Sequence, residues 1–148
     1  QVVRPSLARG AQLAGRDPSA AQVSGGGFIV TGPNRAAIRS VLNEVRRRIA
    51  FYASTRTYFP VLECHGFQEV GQRLHQMSLE GRWAEMGELV GDEMLDAFAV
   101  VGEYDEIAHE FIQRYGGLVD EVGFSPYTAV PLEEGQLRKV IRQLQGAG

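Results

Sequence analysis

Apolar residues recur at helical spacing along most of this chain and gather into short unbroken runs at only a few places. Leu7, Ala8, Ala11 and Ala14 follow Pro5 in a pattern that predicts a helix over about 5–14, stopped by Gly15. Arg16-Asp17-Pro18 reads as a turn. Val23 to Thr31 is the best strand candidate, because Phe28-Ile29-Val30 forms an apolar run of the kind found in buried parallel strands. Gly32-Pro33-Asn34 then marks a turn, with Asn34 as N-cap of the strongest helix, about 35–53. Its stripe is Ile38, Val41, Leu42, Val45, Ile49 and Tyr52.

Further helices are predicted from Tyr58 to Gly66, with Pro60 in the first turn where its missing N–H costs little, and from Phe67 to about Glu80. Arg82 to Leu89 gives another, anchored by Trp83 and Met86. Asp92 caps a turn through Met94 and Leu95, and Phe98 to Val101 reads as extended. A helix at about 104–115 buries Ile107, Phe111, Ile112 and Tyr115 and ends at Gly116-Gly117. Leu118 to Phe124 is the second strand candidate, polar at Asp120 and Glu121 for a barrel interior, and a last helix lies at about 132–145. The triple glycine at 25–27 precedes the apolar run instead of opening a helix after it. That is the wrong order for a dinucleotide-binding turn and suits flexible entry to a strand. Two parallel strands alone leave both sheet edges unsatisfied, so the pattern reads as part of a larger barrel.

Composition narrows the classes. With 148 residues, 44% hydrophobic and 22% charged, the chain reads as one soluble domain, expected to bury about 68–70% of its unfolded surface. A net charge of -3 argues against a nucleic-acid partner, and the basic run Arg46-Arg47-Arg48 lies in a helical pattern whose other face is apolar, a solvated face. The lone Cys64 has no disulfide partner and no zinc-ligand set, so no metal is expected and a reducing, cytoplasmic compartment is the simplest reading. No apolar run reaches the roughly eighteen residues of a membrane span. The chain begins at Gln1 with neither a methionine nor a leader, and reads as a piece of a longer protein.

Several stretches together resemble luciferase-like flavin or deazaflavin oxidoreductases. They are RPSLARGAQLAGRDP at 4–18, RIAFYASTRTYFPVLECHGF at 48–67, EGRWAEM at 80–86, DEMLDAFAVVG at 92–102 and RYGGLVDEV at 114–122. The resemblance is strongest to an F420-dependent branch. It implies an α/β fold, the C-terminal portion of a (β/α)8 TIM barrel of the bacterial luciferase-like type, with Val23–Thr31 as seventh strand and Leu118–Phe124 as eighth. The remainder of the barrel would lie outside this chain, and a homodimer is an expected assembly. Chemistry in such barrels occurs at the carboxyl ends of the strands, which makes Thr31, Gly32, Ser125 and Pro126 the candidate cofactor contacts. Arg56, Tyr58 and His65 could close over cofactor or substrate as a lid. In the other reading of these residues, Tyr58 packs against Phe59 and Val61 and His65 caps a helix C-terminus. The branch carries a proline where this chain has Arg56. The implied reaction is hydride transfer between coenzyme F420 and a small organic substrate. An FMN-dependent monooxygenase and a non-catalytic helical partner-binding module are the alternatives, and no catalytic residue is assigned.

Overall fold

The computed structural model describes residues 3–146 and sets a parallel pair of strands between two layers of helix. Helix α1 (Val3–Leu13) precedes strand β1 (Phe28–Gly32). Helices α2 (Arg35–Ala53), α3 (Phe59–Cys64), α4 (Gln68–Leu79) and α5 (Asp92–Phe98) lead to strand β2 (Ala99–Glu103). Helices α6 (Ile107–Tyr115) and α7 (Glu134–Gln145) follow. The strands pair in parallel, Phe28 opposite Ala99 and Gly32 opposite Glu103.

Side chains alternate across a strand, so Phe28, Val30, Ala99 and Val101 share one face while Ile29 and Val100 share the other. The first face packs on Ile38, Val45 and Ile49 of α2, backed by Leu74 and Met94. The second is covered by Ile107 and Phe111 of α6 and Val140 of α7. In a closed barrel one strand face looks inward, so the cover on both faces is a property of this stretch taken by itself. It remains a helix-rich α/β chain with two parallel strands, the content of part of such a barrel.

Local chemistry accounts for the helix boundaries. The Asn34 side chain accepts a hydrogen bond from the Ala37 amide at 3.0 Å and starts α2. Glu133 and Gln136 form a reciprocal capping box at the start of α7. Pro60 stands in the first turn of α3, and Gly66, at φ +78°, lets the chain leave it.

The sequence expectations fail at three places. The second strand is Ala99–Glu103, where an extended segment was expected to begin at Phe98, and Leu118–Phe124 forms no strand. Instead two isolated parallel bridges form, Ser24 before β1 with Glu121, and Val30 of β1 with Tyr127 just after the segment, each pair 97 positions apart. Both bridges therefore belong to one register, open in the middle where Gly26 sits at φ +130° and where Pro126 has no N–H to give. The same glycines shorten β1, which starts at Phe28 and not at Val23. Finally, 82–89 holds only one 3-10 turn, Met86–Leu89: Met86 is buried, while Trp83 is half exposed and Arg82 is engaged by Glu80 and Glu85.

Burial is also lighter than expected. The chain exposes 9614 Å², against about 7,500 Å² for a compact protein of its mass, so it buries about 59% of its unfolded surface. Helix α1 buries no residue at all.

Candidate functional site

The turn from β1 into α2 brings the chain's polar groups together at the carboxyl ends of the strands. Thr31 is fully buried, and its Oγ1 has no hydrogen-bond partner among the described residues. A buried hydroxyl left unsatisfied is costly, so an atom of this kind calls for an explanation. At Gly32 a Cβ would fall 3.2 Å from the Ala37 Cβ and 3.3 Å from Ile38, so the tight turn favours glycine. The Gly32 carbonyl accepts from the Tyr104 amide at 3.1 Å, carrying the two chains in step past the ends of the strands.

Arg35 opens α2, an unusual place for a cation because the positive end of the helix dipole lies there. Two carboxylates compensate: Glu106 at 2.7 Å and Glu103 at 3.4 Å. Glu106 also accepts from the Glu103 amide at 3.1 Å. The Tyr104 hydroxyl donates to the Val130 carbonyl, and the Thr128 hydroxyl stands 3.5 Å from it. Ser125 and Pro126 lie beside β1, not beyond it, since the next residue, Tyr127, donates to the Ile29 carbonyl at 2.7 Å and accepts from the Thr31 amide at 3.0 Å. In this register Ser125 and Pro126 stand beside Phe28 and Ile29 on the adjacent segment, three positions short of Thr31 and Gly32.

Arg56, Tyr58 and His65 are not brought to that end. The nineteen residues of α2 run back along the sheet for about 28 Å and deliver the following turn to the amino ends of the strands. There Tyr58 packs edge-on against Tyr52 at 5.6 Å, while the His65 ring meets Phe98 at 5.2 Å beside the α3 C-terminus. Arg56 is exposed in the same turn. A cavity of about 410 Å³ opens here, lined by Gly26, Gly27, Phe28, Tyr52, Tyr58 and Phe98 among others. It is apolar and lies opposite the end where barrel enzymes carry their chemistry.

One ion pair ties the C-terminal half to the start of the chain. Asp120 accepts from the Val23 amide at 2.7 Å and from Arg4 at 3.0 Å, and these bonds, the Val23 one foremost, hold its carboxyl below the usual range. Among the described residues no cluster of three or more potential metal ligands occurs, and no helix is long and apolar enough to cross a membrane. Sequence reasoning passed over Arg35, Glu103, Glu106 and Tyr104. The cation at the first position of a strong helix was the available signal for the first three. Tyr104 carried none, because its role depends on β2 pairing with β1.

Residues 1–121 match the family described as luciferase-like monooxygenase. One protein of Mycobacterium bovis and two from strains of Mycobacterium tuberculosis, all named only as uncharacterized, are each 44% identical over 122 residues. The alignment covers 82% of this chain and 36% of each relative, so the chain spans about a third of their length.

Proposed function

Because this chain belongs to the luciferase-like monooxygenase family, we propose that it is the C-terminal part of an oxidoreductase that moves a hydride between coenzyme F420 and a small organic substrate. Family membership carries the oxidoreductase reading. The F420 branch is favoured by the ordered stretches at 4–18, 48–67, 80–86, 92–102 and 114–122. The second reading, an FMN-dependent monooxygenase, is favoured by the family's own description.

The carboxyl end of β1 fits the phosphate-bearing part of either cofactor. Thr31 offers an unpartnered hydroxyl on the face that α6 covers, and at the same end of the strand, on the other face, the first turn of α2 brings its positive dipole end and the Arg35 cation. Holding a phosphate would draw Arg35 away from Glu103 and Glu106. When bound, the deazaflavin supplies a carbon that takes or gives a hydride, and the protein orients it and excludes water. In this reading Thr31, Gly32 and the adjoining Ser125-Pro126 segment position the cofactor. Arg56, Tyr58 and His65 pack the opposite end of the sheet.

Equilibrium binding of F420 and of FMN to an intact family member carrying this stretch is the direct test. Selective F420 binding supports hydride transfer, selective FMN binding moves the assignment to the monooxygenase, and binding of neither favours the partner-binding module. The 148-residue chain alone is expected not to turn over substrate, since a (β/α)8 barrel takes about 250 residues.

A further inference from the structure

The first turn of α6 is left without a side-chain cap beside the buried Thr31 hydroxyl, and we infer that an oxygen of a phosphate group completes it. Glu106 is the N-cap residue of α6, yet its side chain makes no bond to the helix. The N-cap residue of α7 is also a glutamate, and Glu133 does accept from its own helix. At α6 the carboxylate is taken elsewhere, by Arg35 at 2.7 Å and by the Glu103 amide at 3.1 Å. The amides of Ile107, Ala108 and His109 therefore have no hydrogen-bond acceptor among the described residues. Free first-turn donors and the positive end of the dipole are what an anion meets at a helix start.

Thr31 points into the same place. It pairs with Gly102, so the two residues share one face of the sheet. A Cβ at Gly102 would fall 3.2 Å from the Ile107 amide nitrogen, which puts the start of α6 directly over that face at this level. The Thr31 hydroxyl is fully buried there and has no partner among the described residues. A hydroxyl and helix amides together form a donor set for one oxygen acceptor. Asp105, Glu106 and His109 are exposed, so the turn keeps a solvent side through which an oxyanion enters.

Each carboxylate of this turn already has a cation: Glu103 and Glu106 share Arg35, and Asp105 pairs with Lys139 at 2.6 Å. A phosphate on the α2 side would have to take Arg35 from both of its carboxylates, whereas one on α6 leaves those pairs standing. Arg35 is then a positioning residue, which keeps Glu106 off the helix that the phosphate caps. The uncapped turn follows from the geometry; that the phosphate belongs to a cofactor rests on the reading in the preceding subsection.

Titration of the 148-residue chain with inorganic phosphate, followed by amide NMR shifts, tests the α6 seat. The largest shifts are expected at Ile107, Ala108 and His109. Thr31→Val is expected to weaken binding about ten-fold, the loss of one hydrogen bond to a charged group, and Thr31→Ser to keep it. Arg35→Gln frees Glu106 to cap its own helix and should weaken binding too, while adding Glu106→Ala should recover it. A phosphate held by Arg35 itself would show no such recovery, so a double variant as weak as Arg35→Gln overturns the seat. Shifts centred on the Arg35 and Ala36 amides overturn it as well, and the absence of a saturable shift at Ile107 to His109 leaves water as the cap and does the same. In an intact protein carrying this stretch, the cofactor that binds is expected to lose about ten-fold in Thr31→Val, while its ring without the phosphate loses nothing. Cofactor binding unchanged by Thr31→Val overturns the seat and leaves the cofactor reading intact. Binding of neither F420 nor FMN removes that reading, and a phosphate titration with the expected shifts then supports the seat for a phosphate from another source.

Discussion

Replacing Gly27 by alanine should cost far more than replacing Gly71, although both are tight. At Gly27 a Cβ would lie 2.3 Å from the Phe98 carbonyl oxygen and 2.9 Å from the Tyr115 hydroxyl. The Tyr115 tip can move, but the carbonyl cannot easily do so. It immediately precedes Ala99, which is held opposite Phe28 in the ladder and whose own carbonyl accepts from Arg114 at 2.6 Å. Restoring contact distance means parting the strands by about 1 Å at the first pair of the ladder. Overpacking of that kind costs about 1–3 kcal/mol, a weakened ladder hydrogen bond about 1 kcal/mol more, and reduced entropy of the unfolded chain returns about 0.4–1 kcal/mol. The net expectation is a loss of about 2–3 kcal/mol. At Gly71, inside α4, the Cβ would meet the Leu62 Cδ1 at 2.4 Å and otherwise nothing closer than 3.5 Å. Leu62 borders the cavity, so it has space to rotate, at about 0.5–1.5 kcal/mol. Alanine returns about 1 kcal/mol of helix propensity. Gly71→Ala should therefore stay within about 1 kcal/mol of the unsubstituted chain. Urea denaturation at fixed protein concentration measures both, and Gly27→Ala should lower the midpoint by roughly 1 M. Equal stability of the two variants would refute the distinction between a fixed backbone obstacle and a movable side chain.

Thr31→Val, nearly the same in shape, removes the unpartnered hydroxyl and is expected to stabilise the chain by about 1–2 kcal/mol in urea melts, while weakening cofactor binding by an intact protein about ten-fold if the hydroxyl holds that cofactor. Asp120 has a depressed folded-state pKa, so its contribution is present above the ordinary carboxylate range and is lost as pH falls through the folded value; Asp120→Asn should flatten the acid limb of a stability profile below about pH 4, and an unchanged limb would remove Asp120 from its causes. Val140→Ala, deleting a fully buried side chain of α7 against Ile29 and Val100, should cost about 1–2 kcal/mol and raise exchange at the α6–α7 contact, whereas a silent change would mean that α7 is not held to the sheet in solution.

Local signals carried the helices well. Asn34 before a periodic apolar stripe fixed α2 at both ends, because the cap and the buried face are both set within the helix. The strands were harder for a physical reason. The run Ala99-Val100-Val101 was legible as extended but not as the partner of β1, and Leu118–Phe124 has strand-like residues but lacks the continuous partner that would make it a strand. At the candidate site, Thr31 and Gly32 could be located from the end of the apolar run and the turn after it. Sequence proximity could not show that Arg56, Tyr58 and His65 would be carried to the other end, since that depends on the length and direction of α2. Trp83 misled because its helical spacing from Met86 assumed a helix that the Arg82 ion pairs and one short turn replace.

The two ends of the sheet differ in how far this stretch completes them. At the carboxyl end Arg35, Glu103, Glu106 and Tyr104 close the turn with internal partners, leaving one hydroxyl without a bond. At the amino end the backbone of Ser24 and Gly26, an apolar cavity and half-exposed Tyr52 and Tyr58 are left open together. Surface ion pairs are worth little to stability, typically about 0–1 kcal/mol, whereas apolar burial contributes about 25 cal/mol per Å². The open end is therefore where joining a larger barrel would yield most stability, and in the proposed reading the closed end is the one that serves a cofactor. Damage at the two ends should separate accordingly: substitutions in the glycine row should first impair assembly, and substitutions at Thr31 should first impair binding.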